Sequence, residues 1–329
     1  RLRDLVIGRR RGLALVALVA LSTGVGGCSS DSDDARSPTT ERGGGGAVPT
    51  VSAVRSLSGR PADIAYAEGV LWVSEDEGGT VQRLDATTGE PIGSPIPATS
   101  APASIAAAGT SAILADALGV VTRVDGPTGT VQVSSEQPGA SYVDLVADSG
   151  RLWLVDIAAG SVSGIDETGE VVWTTRVPGG AVRAARAAEL LWVTGLEDTV
   201  SALDPATGAV VVGPSPVGAG PIGMAGAGGA LWVANGDDGT VSRLDPRTGL
   251  PKGAAARVGQ APIAVAGDGS VLWVLNQDSH TLTRLDAASG DRLGADVALP
   301  IRPRNFVVTP AGVWVVGVDA PGLVLVSRP

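Results

Sequence analysis

One pattern of hydrophobic and polar positions recurs seven times along the chain. Its clearest phase is an apolar run, (V/A)LW(V/L), whose aromatic falls at Trp72, Trp153, Trp192, Trp232, Trp273 and Trp314, with Ile113 of SAILAD in the copy between the first two. Successive spacings are 41, 40, 39, 40, 41 and 41 residues. Each unit reads as four short strands. In the fifth, PIGMAGAG is strand a, GALWVAN strand b, GTVSRLD strand c, and strand d follows PRTG. A period near forty, built from short strands and glycine-rich turns, predicts an all-β fold: a seven-bladed β-propeller. Strand b is apolar at successive positions, as a strand covered on both faces must be. The tryptophans therefore belong between stacked blades and not on a carbohydrate-stacking surface.

The turns carry their own signal. Asp85, Asp125, Asp166, Asp204, Asp245 and Asp286 each stand ahead of a Thr-Gly or Ser-Gly pair. An Asp side chain accepts bonds from backbone N–H groups two residues on, and Gly tolerates positive φ, so turn formation accounts for all six without metal binding. Arg83, Arg123, Arg243 and Arg284 recur two residues before a turn aspartate, a periodicity that predicts a packing or pairing role. The seventh unit ends with its strand c, LVLVSRP, while residues 51–58, VSAVRSLS, resemble a strand d with no unit of its own. The N-terminal strand is expected to complete the last blade and close the ring, removing exposed sheet edges.

The segments GALWVANGDDGTVSRLDPRTG (229–249) and GVLWVSEDEGGTVQRLDATTG (69–89) resemble the YVTN/YncE-type propeller repeats, which are related to NHL and streptogramin-lyase propellers. The resemblance covers nearly all of residues 51–329 and implies a fold, not an activity.

The first residues belong to a different regime. Arg1, Arg3, Arg9, Arg10 and Arg11 precede an apolar stretch, Leu13 to Leu21, and the small-residue sequence Val25-Gly26-Gly27-Cys28. This reads as a signal peptide over residues 1–27 ending in a sequence similar to the bacterial lipobox, with Cys28, the only cysteine, as the lipidated residue. Residues 28–50 are polar and contain four consecutive glycines, a composition suited to a flexible tether. The expected location is the outer face of a bacterial cell membrane, held there through a lipid on Cys28. The alternative is a bilayer anchor, with the propeller as the external sensor of a longer membrane protein.

Net charge is −10. An acidic surface repels phosphate backbones, so nucleic acid is not an expected partner. A protein, a glycan or a small molecule remains open as ligand.

In a propeller the d–a and b–c connections share one face, where ligands commonly enter the channel. Nine positions before each repeat tryptophan, or before Ile113 in the second unit, stand Asp63, Ser104, Asp144, Arg183, Gly223, Ala264 and Asn305. Three positions after it stand Glu75, Asp116, Asp156, Gly195, Asn235, Asn276 and Gly317. The polar members are the candidate ligand-binding set at the channel mouth. Carboxylates predominate in blades 1 to 3, and Asp63, Asp144 and Asp156 are the set that would suit Ca²⁺ or Mg²⁺. The competing reading is that these groups cap turns and face water, with Arg183 neutralising some of them.

Catalytic motifs are lacking. The only histidine, His280, falls at a hairpin tip, and there is no G-x-S-x-G elbow. The sequence is best read as a non-catalytic binding scaffold, with a metal-dependent lyase or hydrolase of streptogramin-lyase type as the alternative that the resemblance implies.

Overall fold

A computed structural model describes residues 49–328 apart from 77, 99–101, 138, 149, 167–168 and 319–321. The stretch read as signal peptide, Cys28 and nearly all of the expected tether lie outside the described residues. The remainder is all-β: seven four-stranded antiparallel sheets, with no helix among the described residues. This is a seven-bladed propeller.

The innermost strands are Pro61–Ala67, Pro102–Ala108, Tyr142–Asp148, Arg183–Ala187, Pro221–Ala227, Pro262–Asp268 and Pro303–Thr309. Each packs against the next, and the last packs against the first. Blades 1 to 6 are continuous in sequence. Blade 7 joins Pro303–Thr309, Gly312–Gly317 and Gly322–Val326 to the N-terminal strand Val51–Ser56. That strand runs antiparallel to Gly322–Val326, with Val51 opposite Val326 and Ser56 opposite Gly322. The chain thus enters the propeller on the face of the a–b and c–d turns, opposite the face of the b–c and d–a turns.

Strand b explains its own composition. In blade 1, Leu71 and Val73 join a cluster with Trp314 and Val316 of blade 7, while Trp72 joins Ile105 and Leu114 of blade 2. Both faces of the sheet are covered, and the six repeat tryptophans are buried. Three of them also tie neighbouring blades by hydrogen bonds. Trp153, Trp192 and Trp314 donate Nε1–H to the carbonyls of Pro205 (3.0 Å), Pro246 (3.0 Å) and Ala86 (2.7 Å), each just after the turn aspartate of the next blade. Between blades 1 and 2 the equivalent carbonyl, that of Gly126, accepts instead from Arg83, and Trp72 Nε1 is left without an acceptor.

The recurrent arginines are explained by cross-strand register. Arg243 lies opposite Trp232 and Arg284 opposite Trp273, with guanidinium carbons 5.6 and 5.9 Å from the indole centroids. These are cation–π contacts within one blade. Blade 3 has Gly164 at this strand-c position, and the indole of Trp173 from strand d lies over it. Arg186 of blade 4 covers Trp153 instead, at 5.4 Å.

The turn aspartates do what their spacing predicts. Asp85 accepts from the Thr87 and Thr88 N–H groups at 2.9 and 2.8 Å, and Asp286 from Ala288 and Ser289 at 2.9 and 2.7 Å. Backbone N–H donation, chiefly from Thr88 and Ser289, holds these two carboxyls below the ordinary value of 3.8.

Candidate functional site

The two rings of positions at the channel mouth follow from strand phase. The first ring begins each inner strand and alternates with apolar residues buried between blades, such as Ile64, Ile105 and Phe306. The second ends each strand b, where the chain turns back into strand c.

In the first ring the polar groups join blades. Asp63 is 7% exposed and accepts four hydrogen bonds. One comes from its neighbour, Ile64 N–H at 2.8 Å. Two come from blade 2, Ser104 Oγ at 3.2 Å and Ile105 N–H at 3.0 Å, and one from the Asn305 amide of blade 7. A single carboxylate therefore spans the junction at which the N-terminal strand, through blade 7, meets the rest of the ring. Asp144 repeats the device between blades 3 and 4, accepting from Ala184 N–H at 2.7 Å and from Arg183 at 3.3 Å, while Arg183 also donates to the Val143 carbonyl. Desolvation outweighs the Arg183 charge and the Ala184 N–H and leaves the Asp144 carboxyl above its ordinary value. Blades 5 and 6 have Gly223 and Ala264 at this level. A β-carbon on Gly223 would lie 2.7 Å from the Ala264 α-carbon, so here the backbones themselves meet.

The second ring closes hairpins. Glu75 accepts from Gly59 N–H (2.8 Å), Ser58 Oγ (2.9 Å) and Thr80 Oγ1 (2.5 Å), tying its b–c turn to the preceding d–a loop. Asp116 accepts from Leu118 and Val120 N–H, and Asp156 from Ala158, Ala159 and Ser141 N–H. Asn235 and Asn276 donate across their own hairpins, to Thr240 and Ser242 and to Thr281 and Thr283. All five side chains are buried.

The structure thus assembles the predicted residues on one face but turns most of them inward. Asp63, Asp144 and Arg183 border the channel, whereas Glu75, Asp116, Asp156, Asn235 and Asn276 lie inside turns. Asp63, Asp144 and Asp156 are each engaged separately, Asp63 at the junction of blades 7, 1 and 2, Asp144 at that of blades 3 and 4, and Asp156 through Oδ1 in its own turn and the loop before it. Among the described residues no group of three or more His, Cys, Asp or Glu is placed to hold a metal ion. His280 is exposed at a hairpin tip with φ 52°, its carbonyl accepting from Leu299 N–H.

Sequence reasoning missed two side chains on this face. Leu118 and Leu196, at the b–c tips of blades 2 and 4, are 61% and 46% exposed. Their signal was available as an aliphatic residue inside a turn, in DALG and GLED.

The seven blades define the class, a seven-bladed β-propeller, and comparison with known proteins narrows it only partly. A family model described as outer membrane protein assembly factor BamB matches residues 158–298, less than half of the chain. The chain superposes on virginiamycin B lyase from Staphylococcus aureus with a TM-score of 0.73 at 12% identity, over 86% of this chain and all of the other. A streptogramin B lyase gives 0.72 at 14% identity, over 84% and 98% of the two chains, and the WD40 propeller of Doa1 gives 0.70 at 12%, over 86% and 97%. At these identities the likeness is one of fold. No curated protein matches the sequence significantly.

Proposed function

We propose that the chain is an exported lipoprotein of the YVTN/YncE-like kind, tethered through Cys28, whose propeller is a non-catalytic scaffold that binds a partner on the b–c and d–a face. The observation that carries the reading is the commitment of the mouth carboxylates to turns and blade junctions: a carboxylate already engaged by protein donors has fewer lone pairs to offer a ligand proton or a metal ion. Two further features support it. The first propeller strand begins at Val51 on the face of the a–b and c–d turns, so the point where the chain enters does not occupy the b–c and d–a face. The partial match to a model described as an assembly factor is in keeping with a protein partner.

The lyase alternative has a direct test. A catalytically inactive histidine-to-alanine variant of the staphylococcal lyase has been solved with quinupristin, whereas here the one histidine is on an exposed hairpin. Quinupristin incubated with the full chain and Mg²⁺ should be recovered unchanged by mass spectrometry. A new product lost in His280→Ala or Asp144→Asn protein would overturn the scaffold reading. Palmitate labelling that is abolished by Cys28→Ala is expected for the tether, and labelling that persists would refute it.

A further inference from the structure

The b–c tips of blades 1 to 6 divide, among the described residues, into two chemistries. Those of blades 5, 6 and 1 carry acids: Asp237 and Asp238, Asp278, and Asp76. Those of blades 2 and 3 present Ala117 and Leu118, then Ile157, Ala158 and Ala159, with no exposed charged side chain because Asp116 and Asp156 are folded inward. Blade 4 begins apolar, at Leu196, and turns acidic at Glu197 and Asp198.

These tips form one strip, because the d–a loops stitch them together. Ile157 N–H donates to the Ser141 carbonyl at 3.2 Å and Leu196 N–H to the Gly179 carbonyl at 2.6 Å. Leu196 also lies close against Gly180, which itself approaches Gly160 at the tip of blade 3. Leu118 and Leu196 are exposed and Ile157 on the blade between them is half-buried, so aliphatic side chains follow one another along this face, the arrangement that marks an interaction surface where scattered ones do not.

Charge identifies the occupant. At the blade 4 end, Asp198 accepts from Gly220 N–H at 3.0 Å, Asp238 from Ala219 N–H at 2.7 Å, and Asp237 lies against Gly220. With Glu197 they gather four carboxylates beside Leu196. Asp76 and Asp278 elsewhere on the face pair with Arg60, Arg304 and Arg302, but none of these four is in an ion pair among the described residues. An uncompensated acidic end beside an aliphatic strip complements an aliphatic segment that ends in positive charge.

We infer that the tips of blades 2 to 4 dock a polypeptide segment of the partner in which aliphatic side chains are followed by arginines or lysines, an inference that rests on the binding reading above. The aliphatic residues cover Leu118, Ile157 and Leu196, and the basic residues meet Glu197, Asp198, Asp237 and Asp238.

The probe is a fluorescein-labelled peptide with three leucines spaced by serines and followed by three arginines, titrated into the full chain and read by anisotropy. Saturable binding is expected, about tenfold weaker or worse with Leu118→Ser/Leu196→Ser protein. Glu197→Lys/Asp237→Lys protein should lose the preference over a peptide ending in three glutamates. All four residues are exposed, so melting temperatures should match the parent and exclude misfolding. No binding, or binding unchanged in both double variants, overturns the docking arc. The two readings separate by photo-crosslinking in producing cells from positions 118, 196 and 278. Protein crosslinks from position 278 alone sink the arc and leave the scaffold reading standing, and none from any position sinks both.

Discussion

Removing the buried Asp63 carboxylate should destabilise the ring more than removing an exposed acid. In Asp63→Ala protein the Ile64 and Ile105 N–H groups and the Asn305 amide lose their acceptor at a point only 7% exposed, where water replaces it poorly. Each buried donor left unpaired costs about 1–3 kcal/mol, and the three share one small site, so about 3–5 kcal/mol is expected in total. For a chain of this size each kcal/mol lowers the melting temperature by about 2–4 °C, giving a fall of roughly 10 °C. Asp63→Asn keeps one acceptor oxygen and should lose about a third to a half of that. Thermal unfolding followed by far-ultraviolet circular dichroism, with urea titration as a second measure, reads the effect. An acid placed to bind an exposed ligand would behave oppositely, since its removal relieves repulsion and leaves the fold unharmed. An Asp63→Ala melting temperature within 2 °C of the parent would refute the claim that this carboxylate joins blades 7, 1 and 2.

Three further outcomes follow from the same contacts. Trp314→Phe removes the indole bond to the Ala86 carbonyl, whereas Trp72→Phe removes an N–H that has no acceptor; the first should cost about 1–2 kcal/mol more than the second, and equal urea midpoints would contradict the pairing. Gly126→Ala would drive a β-carbon into the Thr110 carbonyl and against the Trp72 ring, so a loss of about 3 kcal/mol or failure to accumulate is expected, and parent-like stability would refute the packing. The turn carboxyls of Asp85, Asp204, Asp245 and Asp286 are depressed below 3.8 by N–H donors, so their stabilisation is complete above that value and is lost as pH falls through the lower folded-state values. The melting temperature should therefore drop below about pH 4, and less steeply in Asp85→Ala/Asp245→Ala protein, whose parent-like acid profile would contradict this origin.

The architecture was legible because a propeller writes its period into the chain: a tryptophan every forty or so residues, a turn aspartate at constant phase, an arginine opposite the indole. The candidate site was legible in position but not in orientation. Three residues past each tryptophan, Glu75 and Asp156 read as mouth residues. Whether such a side chain points to the channel or folds back into its own hairpin depends on which N–H groups the turn leaves unpaired, and a two-residue period does not encode that. Trp173 escaped the repeat because it answers a local change, the glycine at 164 where blades 1, 2, 5 and 6 have arginine. Leu118 and Leu196 escaped because they interrupt no pattern, being aliphatic residues in turns that a search for charge passes over.

The most direct test of the account is a thermal melt of the full chain in EDTA, then in millimolar Ca²⁺ or Mg²⁺. The mouth carboxylates are engaged at separate turns and blade junctions and do not converge among the described residues, so the midpoint should be the same in all three conditions. A cation bound at a hundred times its dissociation constant would add about 2.7 kcal/mol. A rise of several degrees that disappears in Asp63→Asn or Asp144→Asn protein would contradict the structural role of these carboxylates and favour the metal-dependent enzyme over the scaffold.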